Sequence, residues 1–369
     1  MSFKCPDPMA LPEGFTCADC FAARHCVGLG MTTPDPVVLH QVLDELATRG
    51  ISCVAMEASS HGIDQRRLDG VRLSAAALTN LTRDHLDYHG TVEAYWQAKR
   101  RLFADLLPDG ATIVVEARSG RADELAALAR SRGLALVTVG TPEADLALLG
   151  QTPTATGQRL HIGWKGCEQT VTLPLAGAFQ ASNALVALGL VLVTGGDAAA
   201  AIAAMEKLQG VPGRMERAAL HPCGAPVYVD YAHTPDALMT ILTALRPHTE
   251  RKLIVVFGAG GDRDAGKRPE MGAVASRFAD TVIVTDDNPR SEDPAAIRRA
   301  VLAAAPGATE IGDRSTAIRT AVSHLETGDI LVIAGKGHEQ GQTAGGMTRP
   351  FDDRDEARAA VDLIMEGRT

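Results

Sequence analysis

The sequence predicts an α/β protein with two successive domains, each built on a mostly parallel sheet. Three observations predict it. Short apolar runs alternate with segments of helical periodicity from about residue 35 onward. The length, 369 residues, suits two or three domains at roughly 100–200 residues each. The unusual polar residues fall directly after the apolar runs, where open α/β sheets bind ligands.

The elements follow in order. Asp35-Pro36 reads as an N-cap with proline in the first turn, opening a helix that runs to about Arg49 and stops at Gly50. Val38, Leu39, Val42, Leu43 and Leu46 form its apolar face. ISCVAM at 51–56 and LSAAALTNL around 73–81 read as buried parallel strands. Residues 91–107 read as a helix with Tyr95, Ala98, Leu102 and Phe103 inward. Strands follow at 111–116 and 134–140, with a helix between them. From 145 to 175 the pattern is shorter and more polar, with turn signals at Thr156-Gly157 and Lys165-Gly166, so a small antiparallel patch is expected. Two Ala-rich helices occupy about 181–194 and 198–208, and Gln209 to Gly213 reads as a linker. The βα pattern then restarts. Strands are expected at 227–230, 253–258, 281–286 and 330–335, with helices near 235–246, 269–279, 294–304, 315–326 and 353–366. This second domain, 214–369, reads as doubly wound.

Composition excludes several classes. Lys+Arg is 36 and Asp+Glu is 45, a net charge of −9, which argues against binding nucleic acid by phosphate neutralisation. No apolar run reaches the roughly 18–20 residues of a membrane helix. MSFKCPDPMALPEGF holds no apolar leader core, so no secretory signal is expected and the expected compartment is the cytoplasm. Seven cysteines in such a chain do not make a disulfide framework. Cys5, Cys17, Cys20 and Cys26 crowd the first 26 residues. Cys17 and Cys20 form a CxxC, but no second pair and no ribbon pattern follow, so the segment reads as metal-free. Cys53, in an apolar run, reads as a buried small hydrophobe.

Six polar clusters lie at strand ends: 57–61, 80–89, 230–236, 258–264, 286–290 and 335–339. One such cluster is an ordinary satisfied loop; six point to an enzyme. Glu57 and His85 follow neighbouring strands and suit a hard cation such as Mg²⁺, which keeps few protein ligands. By itself His85 reads rather as a capping or core histidine. Gly258 to Arg263 fails the dinucleotide fingerprint, because Arg263 stands where the third glycine belongs. Arg263 and Arg290 are loop arginines suited to carboxylate recognition, or else to solvation. Lys99 reads first as a snorkelling surface lysine.

The motifs together resemble the Mur ligases, ATP-dependent amide-forming enzymes of peptidoglycan synthesis, and among them the diaminopimelate-adding branch. The carrying stretches are TTPDP at 32–36, MEASSHGIDQRR at 56–67, LTNLTRDHLDYHGTVEAYWQAKRRLF at 78–103, VDYAHTPDAL at 229–238, GAGGDRDAGKRPEM at 258–271, DDNPRSEDP at 286–294 and AGKGHE at 334–339. The resemblance implies a central ATPase-like domain at 31–213 and a C-terminal Rossmann-like domain at 214–369, preceded by an atypical segment, 1–30, without a counterpart.

The implied reaction has ATP phosphorylate the D-glutamate side chain of UDP-MurNAc-L-Ala-D-Glu. The amine of meso-diaminopimelate then attacks the acyl phosphate. By matched positions the resemblance assigns Thr32, Thr33, Ser59, Gln65 and Arg67 to the UDP-muramoyl dipeptide. Glu57, His85 and Lys99 would serve catalysis and Mg²⁺, with Lys99 at the family's carbamylated lysine, a change that turns a cation into an anionic oxygen ligand. Asn183, Arg214 and Asp230 match ATP-side positions. Arg263, Asp287, Asn288, Pro289, Arg290, Gly335 and Glu339 match the diaminopimelate site, where the arginine of Asp-Asn-Pro-Arg pairs the second carboxylate that lysine lacks. The partners implied are small molecules, with no nucleic acid and no membrane span, and the chain is expected to be a monomer.

The sequence also departs from the family. No UDP-binding domain precedes residue 30, and GxxxxGK[ST] occurs nowhere in the chain. Gly266-Lys267 is followed by Arg268, and Gly335-Lys336 by Gly337; position 180 is Gln where many relatives have Asn. A P-loop supplies backbone N–H groups and a lysine to phosphates, so the central domain is read as incomplete, with a sheet edge or gap where a strand is missing. The chain is therefore read as a truncated or misread ligase. The alternatives are a folate-type amide ligase, a non-catalytic remnant that binds diaminopimelate or muramoyl peptide, and a metal-binding N-terminal redox sensor.

Overall fold

The computed structural model describes residues 32–81 and 85–367. The CxxC at Cys17 and Cys20 and residues 82–84 lie outside them. The chain forms two compact units. The first runs to Gln151 and adds Arg159–Leu173 and Phe179–Leu208; the second comprises Thr152–Gln158, Pro174–Ala178 and everything from Gln209.

In the first unit, α1 (Pro36–Thr48) starts where Asp35 accepts hydrogen bonds from the Val37 and Val38 N–H groups. It ends before Gly50, whose φ of 75° supplies the left-handed turn. Next come α2 (Ser60–Asp64), β1 (Ala75–Leu78), α3 (Leu86–His89) and α4 (Val92–Arg101). The expected helix over 91–107 is thus real but changes hydrogen bonding, continuing from α4 as a π-helical turn over Leu102–Leu106. β2 (Thr112–Glu116), α5 (Ala122–Arg132) and β3 (Ala135–Val139) follow, then β4 (Leu146–Thr154), β5 (Gly157–Trp164), β6 (Cys167–Leu173), α6 (Ala178–Val193) and α7 (Ala198–Ala204). The sheet order is β1-β2-β3-β4-β5-β6, parallel from β1 to β4. Two-residue turns force β5 and β6 to run antiparallel, the second through Lys165 and Gly166 at φ 49° and 80°. Trp96, Phe103, Ile113 and Leu125 are fully buried in this core.

One expected strand is absent. Residues 51–56 are extended but belong to no ladder among the described residues, and the sheet order begins at β1. The run has a strand's composition, yet Ser52 and Ala55 are exposed. A parallel strand needs neighbours and apolar cover on both faces.

The second unit holds β7 (Glu216–Leu220), β8 (Pro226–Asp230), α8 (Pro235–Leu245), β9 (Leu253–Phe257), α9 (Lys267–Phe278), β10 (Thr281–Val284), α10 (Pro294–Leu302) and β11 (Thr309–Glu310). It continues with α11 (Arg314–Ser323), β12 (Ile330–Ala334), the hairpin β13 (Gly341–Ala344) and β14 (Met347–Pro350), and α12 (Asp353–Met365). The order β11-β10-β9-β12-β8-β7 is parallel except for the antiparallel edge strand β7. Every residue of β8, β9 and β12 is buried, which is why each reads as an apolar run, broken only by Asp230 at the end of β8. β12 returns between β9 and β8, so the loops after β9, β10 and β12 meet at one edge.

The β7–β8 turn carries a pH effect. His221 Nδ1 accepts a hydrogen bond from the Cys223 N–H at 3.2 Å and lies 2.9 Å from its Sγ. Both contacts suit a neutral ring, and burial holds the His221 pKa below its ordinary 6.5. In the window below 6.5 the unfolded chain therefore binds more protons than the folded one, and stability falls as pH falls. Urea unfolding midpoints should drop from pH 7.5 to 5.5, and the drop should shrink in His221→Asn, whose carbonyl can still accept from Cys223. An equal drop in both proteins would contradict this.

Candidate active site

In the first unit the 56–67 loop is organised around Thr33. The Thr33 hydroxyl donates to the Glu57 carbonyl at 3.1 Å, and the Ser59 N–H and hydroxyl donate to Thr33 Oγ1 at 2.9 and 3.1 Å. Ser59 Oγ in turn accepts from the Gly62 N–H at 3.0 Å, capping α2. A Cβ at Gly62 would lie 2.6 Å from the Thr33 side chain, so glycine is needed for the approach. Arg67 Nη1 donates to the Thr33 carbonyl at 2.7 Å and its Nε to Gln65 Oε1 at 3.1 Å. Gln65 then donates to Tyr88 Oη at 3.1 Å, which donates to Asp64 at 2.9 Å. Thr33, Ser59, Gln65 and Arg67, four residues matched to the dipeptide, thus form one network. Thr32 is exposed beside them.

His85 takes the left-handed conformation at φ 52° and precedes α3 without capping it through its side chain. Strain of this kind gathers at functional sites. Its ring meets His61 at 4.9 Å and Tyr95 at 5.9 Å between centroids. Lys99 Nζ lies 5.0 Å from the Tyr95 centroid, so His85 and Lys99 share one aromatic neighbour. Lys99 is half-buried rather than a plain surface lysine. His89 joins the group, with Nε2 3.0 Å from Ser60 Oγ. Burial first, then the neighbouring His61, lowers its pKa. Glu57 is exposed at the head of the loop, and Asn183 is exposed on α6. Among the described residues no three His, Cys, Asp or Glu side chains converge as metal ligands.

In the second unit Asp230 ends β8. Its two carboxylate oxygens accept from the Met215 and Ala232 N–H groups, both at 2.7 Å, while burial pushes its pKa up. The Arg214 guanidinium stacks 4.8 Å from the Tyr231 ring centroid. Asp287, Asn288 and Pro289 are buried after β10, and Arg290 is half-buried at φ 54°. Arg290 Nη1 donates to the Gly261 carbonyl at 2.7 Å, and the Gly261 N–H donates to the Asn288 carbonyl at 2.9 Å. Gly261 has no room for a side chain, since a Cβ there would lie 1.8 Å from the Pro289 oxygen. Asn288 donates to Glu339 at 2.8 Å, and a Cβ at Gly335 (φ 120°) would lie 2.4 Å from Asp287 Oδ2. That oxygen is buried without a hydrogen-bond partner. The structure therefore gathers Asp287, Asn288, Pro289, Arg290, Gly335 and Glu339, whereas Arg263 stays exposed on the β9 loop.

Sequence reasoning missed several participants. Lys336 is fully buried, donates to Asn288 Oδ1 at 3.0 Å, and has its pKa lowered by burial. The β13–β14 hairpin holds the same loop: Thr343 N–H donates to Asn288 Oδ1 at 2.9 Å, Gln342 to the Asp287 carbonyl at 2.8 Å, and the Arg290 N–H to the Thr343 carbonyl at 2.9 Å. His61, Tyr88 and His89 lie within the family-like motifs, but nothing in their spacing marks them out.

The second unit gathers charged and hydrogen-bonding side chains at the strand ends of a mostly parallel sheet, and in the first unit His85 follows β1; this is the placement found in α/β enzymes acting on polar, charged substrates. The "Mur ligase middle domain" matches residues 17–191, beginning within the 1–30 segment, and the "Mur ligase, glutamate ligase domain" matches 213–337. The chain is 56% identical over 335 residues to the UDP-N-acetylmuramoyl-L-alanyl-D-glutamate–2,6-diaminopimelate ligase of Caulobacter vibrioides, covering 91% of this chain and 69% of that one. The same-named ligase of Mesorhizobium japonicum is 55% identical over 331 residues, covering 90% and 68%. A solved structure of a ligase with this name superposes with a TM-score of 0.72 at 37% identity, over 90% of this chain and 69% of that one. The chain belongs to the Mur ligase family.

Proposed function

We propose that this protein joins meso-2,6-diaminopimelate to UDP-MurNAc-L-Ala-D-Glu with ATP, in peptidoglycan precursor synthesis. The observation that carries this reading is the 56% identity over 91% of the chain to a ligase of that name. A carboxylate is a poor electrophile, and phosphorylation gives it a leaving group; catalysis then depends on positioning and charge stabilisation. The network of Thr33, Ser59, Gln65 and Arg67 would hold the dipeptide substrate, and Asn183, Arg214 and Asp230 would face ATP. Arg263 and the residues gathered around Arg290 would receive diaminopimelate. No helix among the described residues is long and apolar enough to cross a membrane.

Magnesium fits Glu57 by donor type, with His85 a softer donor than so hard an ion usually takes. Glu57 offers carboxylate oxygen and His85 an imidazole, and Mg²⁺ needs few protein ligands because substrate phosphates and water complete its shell. When bound it would neutralise phosphate charge. Lys99 would join only as its carbamate, since an ammonium repels the ion.

Phosphate release from ATP tests the function, measured with UDP-MurNAc-L-Ala-D-Glu and either diaminopimelate, L-lysine or no amine. Release that requires diaminopimelate is expected, with a weak ATP KM because the chain lacks GxxxxGK[ST]. Absence of release from folded protein would overturn catalysis. The missing P-loop favours a second reading, a protein that binds diaminopimelate or muramoyl peptide without ATP chemistry. Calorimetry with ATP and diaminopimelate separately distinguishes the two.

A further inference from the structure

Lys336 is 0% exposed and so does not touch a ligand, yet it contacts two residues of the proposed diaminopimelate site. Its ammonium donates to Asn288 Oδ1 at 3.0 Å and lies 3.6 Å from Glu339 Oε2. Asn288 Oδ1 also accepts from the Thr343 N–H at 2.9 Å, so both lone pairs of the amide oxygen are used. The amide nitrogen must therefore face the other way. There it donates one N–H to Glu339 at 2.8 Å and keeps its second N–H. The pair presents one donor, the Asn288 N–H, beside one acceptor, the Glu339 carboxylate. That combination complements the carboxylate and ammonium of an amino acid.

We propose that Lys336 is the positioning residue of this site, fixing the Asn288 amide and the Glu339 carboxylate in the orientation that reads an incoming amino acid. The inference rests on the proposed function and deepens it. A buried cation at this place does what a partner behind a metal ligand does: it removes the alternative orientation of the group that touches the ligand.

Calorimetry and steady-state kinetics on the full chain test it. Lys336→Met should weaken diaminopimelate binding and raise its KM by about 10–100-fold, while ATP binding stays within about twofold of wild type. Lys336→Gln keeps a donor toward Asn288 and should recover part of the loss; it also serves if the methionine variant does not fold. In an Asn288→Ala background, Lys336→Met should cost clearly less than it does in the wild type, because one of the two groups it orients is gone and only Glu339 remains. Unchanged diaminopimelate affinity in a folded variant, equal losses for ATP and diaminopimelate, or full additivity with Asn288→Ala would each overturn the inference. Wild-type protein that binds no diaminopimelate would sink the proposed function and this inference together. Wild-type binding that Lys336→Met leaves intact would sink the inference alone.

Discussion

Arg290→Met is expected to lower kcat/KM for meso-diaminopimelate by about 10²–10³-fold, mostly through KM, and to leave turnover with L-lysine near its wild-type level. The loop geometry sets this expectation. Arg290 Nη1 is engaged by the Gly261 carbonyl at 2.7 Å and lies 3.5 Å from the Asn288 carbonyl. Those contacts aim the guanidinium without using its Nε and Nη2 edge, which is the fork that pairs a carboxylate. A hydrogen bond between charged groups is worth about 1.5–3 kcal/mol, and a bidentate pair more, which converts to the stated range. Lysine lacks the second carboxylate, so it has no such bond to lose. Arg290→Lys should recover only part of the activity, since an ammonium cannot reproduce the planar fork. The check is the ratio of kcat/KM for the two amines in wild type and both variants. An unchanged ratio would place the selectivity elsewhere, with Arg263 the next arginine to test.

Much of the fold is legible in the sequence because burial and residue pattern agree. The strands β8, β9 and β12 are buried at every residue and stand out as apolar runs. Asp35-Pro36 announces a helix that begins one residue later, with the capping oxygen in place; the structure shows Thr234 and Asp293 capping α8 and α10 before a proline in the same way. The β13–β14 hairpin is illegible for the opposite reason. Its residues are exposed or half-buried, so no alternation marks it. What it does is done by backbone and short polar groups reaching the Asp287 to Arg290 loop. Residues 51–56 show the converse error: their composition suits a strand, but a strand exists only with a neighbour, and composition cannot report the neighbour.

The site is legible at the level of clusters and not of support. Their place directly after an apolar run marks Asp287, Asn288 and Arg290 from the sequence alone. Lys336 falls there within the 335–339 cluster and in a Gly-Lys pair that fails the P-loop pattern, and neither gives it a role. Nothing in Gly-Lys-Gly says that the lysine is buried, because burial comes from residues distant in the chain, Asn288 among its contacts. His85 reads as a cap or a core residue. It occupies the cap position with a left-handed backbone, a conformation that its residue type does not announce.

Arg314→Met carries the largest stability effect. Arg314 opens α11 and Asp353 opens α12, and both side chains are fully buried. Two hydrogen bonds of 2.7 Å join them, Nε to Oδ1 and Nη2 to Oδ2. Nη2 also donates to the Ala334 carbonyl at 2.9 Å and Nη1 to the Asp286 carbonyl at 3.3 Å. Removing the arginine leaves a buried carboxylate without its partner, which costs about 3–5 kcal/mol. Against a folding stability of about 5–15 kcal/mol that is a large share. Urea unfolding of the second unit should show the loss, and a loss under about 1 kcal/mol would contradict it. Arg314→Met/Asp353→Leu should recover most of the stability, because an apolar pair of similar volume carries no desolvation cost. The double variant then separates stability from site geometry. Ala334 precedes Gly335 and Asp286 precedes Asp287, so the guanidinium ties together the two loops that receive diaminopimelate. A double variant that regains stability but keeps a raised KM for diaminopimelate would assign the ion pair to loop placement; full recovery of both would assign it to folding alone.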